Sequence, residues 1–158
     1  MKKQVIEKFE KKYYLLGTRK EDNKKVWLEE GHFDCNWYWG TGYVEIFNTS
    51  YTDIEEHTHF DSLFLETNIY DSFKDYFKET TLCDNEIWVI LELMKTIYQL
   101  RHTSDTIHQK GSYITESNTE KHIFNEDIYK KMYDKINNED IPRLLEEVYK
   151  LLRGEENE

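Results

Sequence analysis

The amino-acid sequence predicts an α+β fold, in which a small antiparallel N-terminal sheet of about three or four strands packs against several helices. Residues 13–30 contain two apolar runs around a polar turn, and residues 86–102 carry apolar side chains at helical spacing. A length of 158 residues is typical of one domain. We therefore expect a single domain over residues 1–158, with mainly strands and loops at 12–66, mainly helices at 68–153 and a frayed acidic tail at 154–158.

The N-terminal part is predicted to start with a short basic helix at residues 2–11 and to continue as strands. The runs YYLLGT (13–18) and KVWLEE (25–30) flank Asp22-Asn23, which favours a turn, so these runs predict a hairpin. In the run GYVEIFN (42–48), Tyr43, Glu45 and Phe47 alternate with Val44 and Ile46, as expected for a third strand. The run SLFLET (62–67) fits either a fourth strand or the start of a helix.

The C-terminal part is predicted to be helical. The run IYDSFKDYFKET (69–80) has its apolar residues at helical spacing, and Asp84 is placed to cap the next helix. That helix is the most apolar in the chain, and we expect it to form the centre of the core. Its predicted apolar stripe comprises Ile87, Ile90, Leu91, Met94, Ile97 and Tyr98, widened by Trp88, Leu93 and Leu100.

Two more helices are predicted, one from the spacing of its apolar residues and one from the position of a proline near its start. Ile128, Met132 and Ile136 share one face of a helix at 126–136. Pro142 is placed early in the last helix, where a missing N–H group is tolerated.

The formal net charge of −11 is unevenly distributed along the chain. Residues 1–25 carry nine Lys/Arg and four Asp/Glu, a net charge of +5, whereas residues 26–158 carry twelve and 28, a net charge of −16. Such an acidic body disfavours binding to free duplex DNA, which requires cations that neutralise phosphates. It favours a basic partner through long-range attraction. The alternative is that the charge serves solubility alone.

Cysteine usage and hydropathy predict a cytoplasmic protein. Cys35 and Cys83 are far apart and fit no zinc-binding spacing, so we expect reduced thiols. The N-terminal residues lack the apolar segment of a secretion signal. No apolar run approaches the roughly 18 residues of a membrane-spanning helix, and we therefore expect no membrane association.

The tripeptide His-Phe-Asp occurs twice, at residues 32–34 and 59–61. Imidazoles and carboxylates are the usual general acids and bases and the ligands of catalytic metals. If the two loops converge, they form a candidate catalytic site with a divalent metal as its candidate cofactor. The alternative is a set of polar loop residues that hydrogen-bond to the backbone. The candidate residues are His32, Asp34, His57, His59 and Asp61.

The run HFDCNWYWGTGYVEIF (32–47) concentrates aromatic residues around two glycines. Aromatic residues of this kind form platforms that stack on a base or grip a partner protein, and they also form cores. We expect at least one ring in the core and at least one partly exposed. The candidate partner-binding residues are Trp37, Tyr38, Trp39, Glu29, Glu30, Glu45, Glu55 and Glu56.

Four motifs of the chain stand out: YYLLG (13–17), VWLEE (26–30), the DC-x-WYWG-x-GY segment (34–43) and an E-x-W helix start (86–88). Together they resemble a family of small proteins carried by phages and plasmids. The resemblance covers roughly residues 13–110, and the segment around WYWG is its most specific part. The chain departs from the pattern at Gly31-His32-Phe33, just before Asp34.

The resemblance implies similarity to type II-A anti-CRISPR proteins, which inhibit the Cas9 nuclease and in some cases are associated with truncation of its guide RNA. It implies a basic ribonucleoprotein partner, Cas9 with guide RNA, in a bacterial host cell. Inhibition then follows either from occlusion by an acidic surface or from RNA cleavage by the histidine and aspartate candidates. The alternatives are a small hydrolase or nuclease that acts without Cas9, and a non-catalytic adaptor that binds a host protein.

Overall fold

The structure is a computed structural model of the chain, and it confirms the α+β class. The residues it describes are 1–31, 36–38, 43–46, 50–56, 58–59, 63–65, 69–116 and 126–154. Within these residues, antiparallel sheets occupy the N-terminal part and helices follow.

The main sheet contains six antiparallel strands among the described residues. The strands are β1 (Val5–Lys8), β2 (Lys11–Arg19), β3 (Lys25–Glu29), β6 (Ser50–Asp53), β7 (Thr58–His59) and β9 (Phe77–Thr80). Five of them lie in the order β1-β2-β3-β6-β7, and β9 pairs with β2 beside this path.

The predicted hairpin is confirmed as β2 and β3. Asn23 adopts the left-handed conformation (φ 58°) that its short polar side chain tolerates in turns. The Asp22 carboxylate accepts hydrogen bonds from Arg19 Nη2 at 2.6 Å and from the backbone N–H of Lys24 at 3.1 Å. These bonds hold the turn and hold the pKa of Asp22 at about 2, chiefly through the Arg19 hydrogen bond.

The predicted helix at residues 2–11 is wrong, because this segment forms β1 and a tight turn. Val5–Lys8 pair in register with residues 11–14 of β2. Phe9 and Glu10 both have positive φ, as a two-residue hairpin turn requires. Ile6 packs against the apolar cluster of the main sheet. Strand pairing with β2 therefore overrides the weak helical pattern of this segment.

The run 42–48 is confirmed as a strand, β5 (Tyr43–Ile46), and it lies in a second sheet. There β5 pairs with β4 (Asn36–Tyr38) and β8 (Leu63–Leu65), both antiparallel. Of the two alternatives for SLFLET, the structure has the strand.

The helix predicted over residues 69–80 is shorter than expected. It ends at Tyr76 as α1 (Ile69–Tyr76), and the chain continues as β9. β9 runs so close to Gly17 of β2 that a Cβ atom there would lie 2.3 Å from the Glu79 carbonyl oxygen. The glycine thus permits a strand pairing that the helical periodicity does not reveal.

The most apolar helix is confirmed as α2 (Asp84–Glu116), and residues 87, 90, 91, 94 and 97 are buried as predicted. At its start the Glu86 carboxylate accepts the Cys83 backbone N–H at 3.0 Å, one half of a capping box. Trp88 departs from the prediction: half of its side chain is exposed, so it lies outside the buried stripe.

The last two helices follow one another through a π-helical turn: α3 (Glu126–Lys135), the turn Ile136–Asp140, and α4 (Ile141–Arg153). Within the turn the Ile141 N–H bonds to the Ile136 carbonyl five residues earlier. Pro142 explains this widening, since its ring would clash with a carbonyl in a regular helix and it has no N–H to donate.

The predicted apolar face of α3 is only partly buried. Ile136 is 4% exposed, as expected, whereas Ile128 is 60% and Met132 43% exposed. Tyr129 is the buried side chain of the helix instead. Helical spacing therefore identified the helix correctly, but of the three residues predicted for its buried face it was right only for Ile136.

The chain divides into two compact units, Met1–Met94 with Glu147–Glu158, and Lys95–Glu146. In the first, one face of the main sheet forms a cluster around Tyr13, Leu15, Trp27 and Tyr51. In the second, the buried apolar residues include Ile97, Tyr129, Ile136 and Ile141. The expectation of a single domain over the whole chain stays a prediction.

Candidate functional site

The central hairpin carries two tyrosines on β2 next to two glutamates at the end of β3. The β2–β3 register pairs Tyr13 with Glu29, and Glu30 follows directly. Successive side chains of a strand point to opposite faces. The hairpin therefore presents one tyrosine–glutamate pair on each face of the main sheet.

Glu29 is the most buried carboxylate among the described residues, with 5% of its surface exposed. Lys11 Nζ lies 2.6 Å from Glu29 Oε1, and the Tyr51 hydroxyl also hydrogen-bonds to this carboxylate. The Lys11 side chain is 53% exposed, so it bridges the buried carboxylate to solvent. A buried charge needs such partners, because an unpaired carboxylate in the interior is costly.

The electrostatics of this cluster favour the neutral tyrosines and the charged lysine. Burial, followed by the hydrogen bond to Glu29, raises the pKa of Tyr51 to about 12. Burial and the negative charge of Glu29 also raise the pKa of Tyr13. The hydrogen bond to Glu29 raises the pKa of Lys11 above its ordinary value. We call Lys11, Tyr13, Glu29 and Tyr51 the Glu29 network.

Tyr13 is the member of the Glu29 network that is not fully satisfied. Its ring lies edge-on to Tyr51 with centroids 6.2 Å apart, and its hydroxyl has no hydrogen-bond partner among the described residues. The same holds for the Ser50 hydroxyl on β6. Leaving a buried hydroxyl unpaired costs roughly 1–3 kcal/mol. An unpaired Tyr13 hydroxyl beside the buried Glu29 carboxylate marks the Glu29 network as a candidate functional site.

The pair on the opposite face serves to dock α4. The Tyr14 hydroxyl donates to Glu30 Oε2 at 2.5 Å and accepts from Arg153 Nη1 at 3.2 Å. Its ring stacks on Tyr149 with centroids 5.1 Å apart, and the Tyr149 hydroxyl accepts the Gly31 N–H at 3.0 Å. Burial and the Glu30 bond raise the pKa of Tyr14 to about 12. This pair is accordingly structural.

One histidine candidate lies beside the Glu29 network in the sheet. The β6–β7 register pairs His59 with Tyr51, the tyrosine bonded to Glu29. The other candidates, His32, Asp34, His57 and Asp61, lie outside the described residues.

The partner-binding candidates are distributed over both sheets. Trp37 and Tyr38 lie on β4, paired in register with Val44 and Tyr43, and Glu45 lies on β5 opposite Asn36. Trp39 lies outside the described residues.

Of the carboxylates, Glu29 and Glu30 are bonded within the protein as described above, whereas Glu55 and Glu56 are exposed in the turn after β6. Glu55 also pairs with Lys8 at 2.6 Å. These two glutamates are therefore the candidates that the structure places at the surface.

Sequence reasoning missed the other members of the Glu29 network. Tyr13 and Lys11 are found once the hairpin register is known, because the tight turn at Asp22-Asn23 places Tyr13 opposite Glu29. Tyr51 carries no comparable signal, since it reaches Glu29 from a strand more than twenty residues later. Its contribution depends on sheet order rather than on local pattern.

Among the described residues, no group of three or more His, Cys, Asp or Glu side chains is arranged to hold a metal ion. No helix in the described part of the chain combines the length and hydropathy needed to cross a membrane. Comparison with known proteins found no matching family model, curated protein or solved structure.

Proposed function

We propose that this chain is an anti-defence protein of a mobile element that inhibits a CRISPR–Cas9 complex by binding it through an acidic surface. The observation that carries the proposal is a stretch without cations. Residues 26–66 contain nine Asp/Glu and no Lys or Arg, and they include the WYWG segment of the family resemblance. We call residues 26–66 the acidic stretch.

The charge of the acidic stretch suits a nucleic-acid-binding protein as partner. Cas9 holds guide and target in positively charged channels, and a polyanionic protein competes for such channels. Attraction between opposite net charges also accelerates the encounter. An adaptor that binds no basic partner would gain only solubility from this concentration of charge.

Glu55 and Glu56 are the described carboxylates of the acidic stretch that are best placed for such contact. The Glu55 side chain is 70% exposed, and its ion pair with Lys8 lies at the surface. Exposed ion pairs contribute little stability, so a basic partner can replace Lys8 at small cost. Glu29, by contrast, supports the fold from the interior.

The test compares two charge reversals of equal size. Glu55→Lys with Glu56→Lys alters the acidic stretch, and Asp127→Lys with Asp134→Lys alters two exposed positions of α3. Each variant is mixed with a type II-A Cas9 and its guide RNA, and target cleavage and guide length are measured at two salt concentrations. We expect the first variant to lose inhibition and the second to keep it.

Equal inhibition by both charge-reversal variants, or binding that is insensitive to salt, would contradict the acidic-surface mechanism. Failure of the unaltered protein to bind Cas9 at all would favour an adaptor for a host protein. Folding of each variant is checked by its thermal transition, so that loss of inhibition is not confused with unfolding.

A second candidate function is RNA hydrolysis, favoured by the register that pairs His59 with Tyr51 beside Glu29. Histidine is the commonest general acid or base, and a carboxylate is a usual partner that orients an imidazole. In this mechanism His59 deprotonates the attacking 2′-hydroxyl, a second histidine candidate protonates the leaving oxygen, and the Glu29 network positions the site.

The hydrolysis mechanism is tested with a guide-RNA gel. We expect the His59→Ala variant to bind Cas9 but to leave the guide RNA at full length. The control is His102→Ala, which alters an exposed histidine of α2, and this variant should shorten the guide as the unaltered protein does. Parallel reactions with a chelator and with added Mg²⁺ test the candidate divalent metal. An intact guide in every reaction would leave occlusion as the mechanism of inhibition.

A further inference from the structure

The first turns of α2 carry a half-exposed tryptophan that is already stacked on a second ring. Trp88 lies parallel to Tyr70 of α1, with centroids 4.9 Å apart and 7° between the planes. The contact covers one side of the indole, yet half of the side chain remains exposed. The neighbouring Val89 is 47% exposed as well.

Tyr70 is held in place by an ion pair that joins α1 to α2. Lys74 Nζ lies 2.6 Å from Asp84 Oδ1 and 5.1 Å from the centre of the Tyr70 ring. Because these contacts fix the tyrosine, they also fix the face on which Trp88 stacks. A ring that is ordered beforehand loses little conformational entropy when a partner binds.

The charges around Trp88 select the kind of group that can cover its open side. Asp84 precedes Trp88 by one helical turn, and its charge is offset by Lys74, whereas the exposed Glu92 follows Trp88 by one turn. The Glu92 carboxylate repels a phosphate and attracts a cation. Tryptophan is the best aromatic residue for binding a cation over its face.

From these contacts we infer that Tyr70 and Trp88 form an anchor for an arginine side chain of a basic protein partner. Guanidinium is planar, stacks on indole and donates hydrogen bonds in the plane of its fork, which Glu92 is placed to accept. Ammonium has the same charge and lacks the planar stacking surface. The anchor therefore prefers arginine over lysine. The inference rests on the proposed function only for the basic nature of the partner.

The test uses an arginine homopeptide and a lysine homopeptide of equal length, so it does not depend on Cas9. Binding is measured by calorimetry near physiological ionic strength, and the indole N–H resonance of Trp88, one of four, is followed by NMR. We expect tighter binding of the arginine peptide with a shift of this resonance. Trp88→Ala should weaken arginine-peptide binding about 5- to 30-fold and remove the preference over lysine.

Val89→Ala is the matched control, because it removes exposed apolar surface from the adjacent position and leaves the stacked pair intact. Trp88→Phe should retain part of the preference for the arginine peptide. Because this variant keeps an aromatic ring at the position, it provides the comparison if the alanine variant does not fold. Equal affinity for the two peptides, or an arginine preference that survives Trp88→Ala, would overturn the inference. Binding of an oligouridylate that requires Trp88, without arginine preference, would replace the anchor with a base-stacking platform.

The outcome of the peptide experiment is separable from that of the proposed function. An arginine preference that depends on Trp88, in a protein that does not bind Cas9, would keep the anchor and redirect the search to another basic protein. Cas9 inhibition without any arginine preference would keep the proposed function and discard the anchor.

Discussion

Replacement of Tyr51 by phenylalanine tests the Glu29 network through the pH dependence of stability. The pKa of Tyr51 is raised from 10.0 to about 12 by burial and by its hydrogen bond to Glu29. A raised tyrosine pKa means that the folded state favours the neutral form. The associated stability is therefore fully present below pH 10 and is lost as the pH rises towards 12.

The magnitude follows from the two pKa values. One pKa unit corresponds to about 1.4 kcal/mol, so ionisation of Tyr51 removes about 1.4 kcal/mol of the free energy of unfolding at about pH 11. Near pH 8, Tyr51→Phe instead leaves Glu29 with one donor fewer in the interior, which costs about 1–3 kcal/mol. The difference in free energy of unfolding between the unaltered protein and Tyr51→Phe should consequently be smaller by about 1.4 kcal/mol at about pH 11 than at about pH 8.

The assay is urea unfolding followed by tryptophan fluorescence near pH 8 and near pH 11, with linear extrapolation for each protein. Ser50→Ala serves as the control, since it alters the neighbouring buried hydroxyl of β6 without removing an ionisable group. The difference in free energy of unfolding between Ser50→Ala and the unaltered protein should be the same at both pH values. If the corresponding difference for Tyr51→Phe stays constant or widens with pH, the reasoning about Glu29 is refuted.

Three further predictions concern the fold that supports this network. Gly17→Ala should lower the free energy of unfolding by about 1–3 kcal/mol or more in urea titration, because its Cβ would meet the Glu79 carbonyl oxygen at 2.3 Å; an unchanged midpoint would contradict the close approach of β9. Phe73→Ala should cost about 3–5 kcal/mol in the same assay, since its ring is only 1% exposed; a loss below about 1 kcal/mol would contradict its burial. Asp22 should titrate at about pH 2 by carboxyl NMR, so its pairing with Arg19 stabilises the protein above pH 3.8 and ceases to do so only as the pH falls through 2; a pKa near 3.8 would show that the turn is not held by this pair.

The elements that sequence predicted well are those specified by their own residues. The β2–β3 hairpin follows from two apolar runs around Asp22-Asn23, and α2 follows from a long stripe at helical spacing. In both cases the local pattern and the tertiary contacts favour the same structure. Agreement between these levels is what makes an element predictable.

The elements that sequence missed depend on pairing with another strand. Residues 5–8 become a strand through the hairpin that they form with β2, and residues 77–80 do so because Gly17, sixty residues earlier, admits their backbone. The candidate site shows the same limit. Glu29 was predicted as a partner-binding residue, whereas it is buried and bonded to Tyr51 from another strand.

The π-helical turn before Pro142 has a consequence for how the chain tolerates changes in length. Ile136 and Ile141 are five residues apart and equally buried, at 4% each, although a regular helix would place them roughly 140° apart around its axis. The extra residue accommodated by the turn brings them to one side. Deleting a single residue at 137–139 would leave the two isoleucines four residues apart, which is roughly 40° around a regular helix, so they would still face one side. The turn therefore holds one extra residue without changing the rotational phase of α4, and a single deletion at 137–139 should disturb the burial of later side chains less than a single insertion.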